Sequence, residues 1–307
     1  MSDNEISKTL KSADTEEFLD IIFYRKLGYQ VAKFSARHGI RPNTITIISI
    51  FWGVLAGHLY YYNHFWINLA GVFSLMIANT LDSTDGQLAR MTNDKTRLGR
   101  ILDGLAGNIW FISIYVHLAL RLLNNGYDYW VLILGGLTGA FHIFQAAIAD
   151  YYRNAHLYFV KGESGSEFHN SSQIKAEIED LSWKKHFWYK LFMKSYLNYT
   201  REQELFTRNL QKLISVVKSK FPEGIPDNIR EGFRRENKPL MPLTNILTFN
   251  TRAIALWIAV LINQPILYWV FEITVLNAIL FYMVSRNESI SKKYLNLIEQ
   301  PTNTTIS

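Results

Sequence analysis

Apolar residues in this chain are gathered into runs rather than one-sided stripes. Six of the runs approach the roughly 20 residues that carry an α-helix across a bilayer. They lie near residues 44–62, 66–88, 100–122, 129–150, 244–263 and 265–285, joined on one side by short polar breaks at 63–65, 123–128 and 263–265. Breaks this brief predict antiparallel neighbours. In residues 14–38 the pattern changes: Phe23, Leu27, Val31 and Phe34 recur at helical spacing opposite Lys26, Lys33 and Arg37. That predicts an amphipathic helix, lying on the membrane surface or packed on the protein. Asp14 and Glu17 read as a capping box at its start, and Pro42 as the first-turn residue of the first span. The expected class is an all-α polytopic membrane protein with six transmembrane helices, an N-terminal interfacial helix and a helical cytoplasmic insertion. Its segments are 1–41, 42–153 for the first four spans, 154–243 for the insertion, 244–286 for the last two spans, and a cytoplasmic tail over 287–307 that is expected to be loose after Lys293.

The insertion is rich in charge, but Trp183, Phe187, Trp188, Phe192, Tyr196 and Tyr199 argue against disorder. Trp183, Phe187, Lys190, Leu191 and Lys194 fit a helix with an aromatic and a basic side, suited to a lid at the membrane surface. No nucleic-acid-binding motif accompanies the basic residues, so anionic lipid is the simpler partner. The chain has 307 residues, 49% of them hydrophobic, and a formal charge of +6. Where that charge falls matters more than its sum. Lys26, Lys33, Arg37 and Arg41 precede the first span, Lys95 and Arg97 lie between the second and third, and Lys292 and Lys293 follow the last. The alternate connections lack Lys and Arg, apart from Arg121 just before one of them. The positive-inside rule then places both termini and the insertion in the cytoplasm. There is no apolar stretch with a cleavage site near the N-terminus, so no removable signal peptide is expected. The chain has no cysteine, which excludes thiolate metal sites and disulfides.

The chemistry is concentrated in residues 82–103. Asp82 and Asp85 are three residues apart, about 60° on a helix, and can face one ion, with Gly86 leaving room beside them. Arg90 follows at the inner end of the second span, and Gly99 and Asp103 open the third. Carboxylates at a membrane boundary are costly unless they face a cavity, a cation or a partner. Hard oxygen donors suit Mg²⁺ or Mn²⁺, and Mg²⁺ is commonly held by a few carboxylates together with substrate phosphates. Three aspartates beside an arginine therefore suit a nucleotide diphosphate bridging metal and guanidinium. Further along, Asp150 to His156 form a polar, aromatic cluster that reads either as a substrate-binding group or as an ordinary membrane exit. His142 and Gln145 read as hydrogen-bonding partners of neighbouring helices, and Glu272 as a structural hydrogen-bonding group. Arg252, inside the fifth span, needs an anion, read here as a substrate phosphate with a structural carboxylate as the alternative.

The stretch from Asp82 through Asp85, Gly86, Ala89 and Arg90 to Gly99 and Asp103 resembles the signature of the CDP-alcohol phosphatidyltransferase family, D-x-x-D-G-x-x-A-R, eight residues, G-x-x-x-D-x-x-x-D. The resemblance implies a six-helix core and transfer of a substituted phosphate from a CDP-linked lipid or headgroup donor to an alcohol acceptor, with release of CMP, in phospholipid or sphingolipid synthesis. It implies Mg²⁺ or Mn²⁺ on Asp82, Asp85 and Asp103, a cytidine diphosphate bordered by Gly86, Ala89, Arg90 and Gly99, and a homodimer. It does not cover residues outside 82–103 beyond general layout. One position departs from the signature: where a fourth aspartate belongs, the chain has Gly107, followed by Asn108. Asn108 can offer an oxygen but cannot take a proton, which leaves three readings: the base comes from elsewhere, such as His156 or Asp94; a one-residue shift places the acid at 108, with Asn a variant of it; or the chain binds without turnover. Arg153, Arg252 and His156 are the expected substrate-binding residues. A transporter is the reading from another class. The acids lie at one face rather than the midplane and the halves show no repeat, which argues against it.

Overall fold

A computed structural model describes residues 14–162, 171–184 and 186–299. The N-terminal residues 1–13 and the tail beyond 299, both expected on the cytoplasmic side, lie outside them. The described residues are helical, with no strand among them, and six helices are long and apolar enough to cross a membrane. The chain is an all-α polytopic membrane protein.

The first helix, α1 (Arg25–Arg37), follows a π-helical turn over Asp20–Tyr24. It buries the small face Gly28, Ala32 and Ser35 and leaves Phe23, Leu27 and Phe34 exposed. The expected capping box does not form. Asp14 instead meets Arg234, Lys238 and His156, and Glu17 accepts from Thr248 and Asn250, because long-range cations and donors outcompete a local backbone amide.

Spans α2 (Pro42–Leu59), α3 (Phe65–Thr92) and α4 (Arg97–Asn124) pack as one unit. The buried face of α2 carries Ser49, Gly53, Ala56 and Gly57, small residues that let helix backbones approach closely. A methyl group on Gly53 would overlap the Trp110 ring of α4. Helix α3 ends where Asn93 takes the left-handed conformation (φ 54°), which Asn tolerates better than most residues. Thr96 then caps α4, accepting from the Gly99 amide at 3.0 Å. These two signals fix the tight polar link between Arg90 and Asp103.

Helix α5 (Trp130–Lys161) runs well past residue 150. The insertion contains α6 (Ser171–Glu179), α7 (Phe187–Phe206), α8 (Arg208–Lys220) and α9 (Asp227–Asn237). The fifth span is broken into α10 (Met241–Ile246) and α11 (Phe249–Leu261), with Thr248 extended between them. The sixth comprises α12 (Pro265–Phe271), a π turn over Glu272–Leu276, and α13 (Asn277–Glu299). The tail is thus ordered as far as Glu299, because Tyr294, Leu295 and Ile298 bury against the insertion together with Leu210, Leu213 and Val217.

Arg252 and Glu272 form an ion pair (2.6 Å) buried to 1% and 0% exposure. The break before α11 frees the Leu247 carbonyl, which accepts from Arg252 Nε at 3.1 Å, and Gln145 Oε1 accepts from its Nη2 at 2.6 Å. Glu272 also accepts from Tyr268 at 2.6 Å and from Tyr115. The π turn leaves the Glu272 carbonyl to accept from Gln145 at 3.1 Å. His142 and Gln145 do join helices as expected, and Glu272 is structural as expected. Arg252, however, serves that structural carboxylate and not a substrate phosphate: it is sealed in the helix interface, since an unpaired guanidinium there would carry its full desolvation cost. Arg121 is similarly sealed toward the opposite ends of the helices. It donates to Tyr60 O (2.8 Å), Asn63 (2.7 Å), Asn68 (3.2 Å) and Asn263 (2.7 Å), which is why it departs from the charge asymmetry of the connections.

Removing one partner of the buried pair leaves the other uncompensated. Glu272→Ala is expected to destabilise the protein by about 3–5 kcal/mol, and Arg252→Met with Glu272→Met by less than the single change. Denaturant unfolding in mixed micelles, followed by tryptophan fluorescence, measures both.

Candidate functional site

The helices that the short link joins place the acids together. Asp82 and Asp85 lie near the end of α3 and Asp103 in the second turn of α4. Their carboxylate oxygens can all lie within 4.8 Å of one another. Asp85 is buried and accepts from Thr46 Oγ1 of α2 at 2.5 Å; Asp82 is half-buried and Asp103 exposed. Three like charges this close repel unless a cation or a proton joins them.

They form one wall of a cavity of about 920 Å³. Gly86, Ala89, Arg90 and Gly99 also line it, as do Asp94 and Asn108. The two glycines have different reasons to be small. A Cβ on Gly99 would come within 2.7 Å of Asn43 Oδ1 and 2.9 Å of Thr96 Oγ1, so helix packing excludes it. A Cβ on Gly86 would meet only the Arg90 guanidinium, at an ordinary 3.4 Å. Packing does not require glycine there, and the space it leaves belongs to the cavity. The Nε atoms of Arg90 and of Arg153 are buried with no hydrogen-bond partner among the described residues.

The opposite wall comes from α5 and the insertion. Asp150, Arg153 and Asn154 face the cavity from α5, with Tyr196, Tyr199 and Gln203 from α7 and Thr248 from the break in the fifth span. Arg153 donates to Asn245 at 3.1 Å and to Thr248 at 3.5 Å. Burial raises Glu17 and Asp20 above the usual carboxylate range, with Arg153 acting against it. Burial and the Asp150 carboxylate hold the Tyr199 phenol well above its ordinary value, so it stays protonated.

Of the expected substrate-binding residues, Arg153 lies at this cavity and two do not. Arg252 is in the Glu272 network. His156 is fully buried and outside the cavity lining, within reach of Asn237 (3.2 Å) and Asp14 (3.3 Å); it lies only about 60° round α5 from Arg153, and these partners hold its ring away from the cavity. It can be neither the base nor a substrate ligand in this arrangement. The Arg234 guanidinium beside Asp14 holds that carboxyl far below its usual range, so the cluster is a structural clasp between the N-terminal segment and α9. Asn108 lines the cavity and donates to Gly104 O at 3.4 Å, whereas Gly107, where the signature has its fourth acid, brings no side chain, and a Cβ there would meet nothing within 4 Å among the described residues. The sequence marks Tyr196 and Tyr199 only among the aromatics that argue against disorder in the insertion, and does not mark Thr46, Gln203 or Thr248. The aromatics at helical spacing were the one available signal; nothing local marks a threonine or glutamine that lines a cavity through tertiary packing.

The model of the CDP-alcohol phosphatidyltransferase family matches residues 40–157. An uncharacterized protein of Aquifex aeolicus (strain VF5) is 31% identical over 102 residues, which make up 32% of this chain and 50% of that protein. The chain thus spans half the length of the relative it matches. The matched segment begins at the first span, ends in the polar stretch of α5, and contains the three clustered aspartates with Gly86, Ala89, Arg90 and Gly99. Over residues 40–157 the chain is thus similar to the CDP-alcohol phosphatidyltransferase family, whose members are phosphotransferases.

Proposed function

We propose that this protein is a metal-dependent phosphotransferase that moves a substituted phosphate from a CDP-linked donor to an alcohol and releases CMP, in the synthesis of a phospholipid or sphingolipid. The observation that carries this reading is the convergence of Asp82, Asp85 and Asp103 on one wall of the cavity beside Gly86 and Arg90. The donor set is all carboxylate oxygen, which fits Mg²⁺ or Mn²⁺ and would not select zinc. Asp82, Asp85 and Asp103 would hold the ion, and Thr46 orients the Asp85 carboxylate. When bound, the cation neutralises charge on the phosphoryl and leaving-group oxygens.

The chain's own residues supply the rest. Arg90 faces the diphosphate, where its unpartnered Nε finds an acceptor, and Gly86 leaves the space in which the nucleotide approaches the helix. The acceptor oxygen attacks the phosphorus that bears the substituent, the bond from that phosphorus to the CMP oxygen breaks, and CMP leaves with the electron pair. Asp94 and Asp150 are the cavity carboxylates outside the metal set and can take the hydroxyl proton. The distribution of Lys and Arg supports a site and termini on the cytoplasmic side. The homodimer rests on the family resemblance alone. A second reading, a CDP-lipid-binding protein that does not turn over, is favoured by one observation, the Gly107-Asn108 pair where the signature carries its last acid.

Asp85→Asn is expected to weaken Mn²⁺ binding at least tenfold, read from the free-ion signal in electron paramagnetic resonance titrations; unchanged affinity would place the metal elsewhere. Gly86→Val should leave the melting temperature within a few degrees while raising the donor KM at least tenfold, since its side chain fills ligand space and not packing space. CMP release by the purified chain with Mg²⁺ or Mn²⁺, across CDP-linked donors and alcohol acceptors, tests the transfer itself. Release by the natural sequence supports transfer. Release only after Asn108→Asp supports the binding-only reading.

A further inference from the structure

Helix α7 lies outside the segment that the family model matches, yet it closes one side of the cavity. It is fastened on two flanks. Met193 and Leu197 bury against Ile101 of α4 together with Ile174 and Ile178 of α6. Gln203 Nε2 donates to the Ala147 carbonyl of α5 at 3.1 Å from a buried position. The helix is therefore a fixed wall, with the Tyr199 hydroxyl directed at the Asp150 carboxylate.

The groups that face each other there are polar and of both hydrogen-bonding signs. Asp150 accepts, and Asn154 Nδ2 donates to it at 3.2 Å. Arg153 brings a buried Nε that no described residue accepts from. Tyr199 can donate and accept. A hydroxyl group also does both, so an array of this kind matches an alcohol with several hydroxyls. A long alkyl chain placed there would strip water from these groups and offer no acceptor to the Arg153 Nε, and sites built to bond a hydroxyl reject analogues that lack it.

We infer that α7 and the facing turn of α5 form the acceptor subsite, in which Asp150, Arg153, Asn154 and Tyr199 recognise a small polyhydroxylated alcohol. The lipid is then carried by the CDP-linked donor. This inference rests on the phosphotransferase reading above and names its acceptor class. It also gives the insertion a role in recognition, because Tyr199 reaches the substrate space from a helix that the matched segment does not contain.

The test is steady-state CMP release by the full chain in detergent with Mn²⁺. One arm pairs CDP-dioleoylglycerol with glycerol, myo-inositol or their monophosphates. The other pairs CDP-choline with dioleoylglycerol. The natural sequence is expected to use at least one acceptor of the first arm and none of the second. With that acceptor, Tyr199→Phe should raise the acceptor KM about tenfold and Asn154→Ala about fivefold, while the donor KM stays within twofold. The constant donor KM serves as the check that both variants remain folded. The inference is overturned if only the dioleoylglycerol arm releases CMP, if the acceptor KM is unmoved in both variants, or if donor and acceptor KM rise together in both. No CMP from any pair, with Asn108→Asp also silent, removes the phosphotransferase reading and this inference with it.

Discussion

The ion pair between Arg252 and Glu272 is the interaction on which the arrangement of the last spans depends. Neither group can reach water, so each must be satisfied by helices that would otherwise have little reason to hold one position, given that lipid tails compete well for apolar faces. Glu272 draws in Tyr115 from α4 and Tyr268 from α12, and Arg252 draws in Gln145 from α5 and the carbonyl that the break before α11 leaves open. Both irregularities of the backbone, that break and the π turn at Glu272–Leu276, expose carbonyls that the network then uses. The irregular backbone is tolerated because it is buried in protein.

At the cavity the constraint is the reverse. Asp82, Asp85 and Asp103 are brought together at a cost, since clustered carboxylates repel and Asp85 is buried. Thr46 satisfies one oxygen, but a neutral hydroxyl does not cancel charge. The fold accepts such a cost here, while a few turns deeper it pairs Arg252 with Glu272, and this contrast supports the proposal that the cluster takes a cation. The same contrast separates the arginines. Arg252 and Arg121 have their donors satisfied by protein, and Arg90 and Arg153 keep a buried Nε without a protein acceptor beside the cavity among the described residues.

Much of the fold was legible because the signal in a membrane helix is local. Runs of apolar residues report the spans directly, and Pro42 marks the start of the first through backbone chemistry that involves only near neighbours. The cluster of three aspartates was legible for a similar reason: Asp82 and Asp85 share a helix face by spacing alone, and a link of only a few residues returns the chain to Asp103. Where expectation failed, the competing partner was distant in sequence. Asp14 and Glu17 look like a capping box, but Arg234, Thr248 and Asn250 take both carboxylates. His156 sits within a polar cluster and only about 60° round the helix from Arg153, but Asn237 and Asp14 engage its ring.

The sequence by itself determined the class, the six spans, the charge asymmetry and the three aspartates, since each follows from composition over a few turns of helix. Only the tertiary structure decided which arginines are structural and which face the cavity, and that the insertion contributes Tyr196, Tyr199 and Gln203 to it. The physical reason is that a buried charge is defined by its partner. Arg153 and Arg252 carry the same guanidinium near the ends of membrane spans, and the presence of Glu272 opposite one of them, on a helix that is set in place by packing, is what gives them different surroundings.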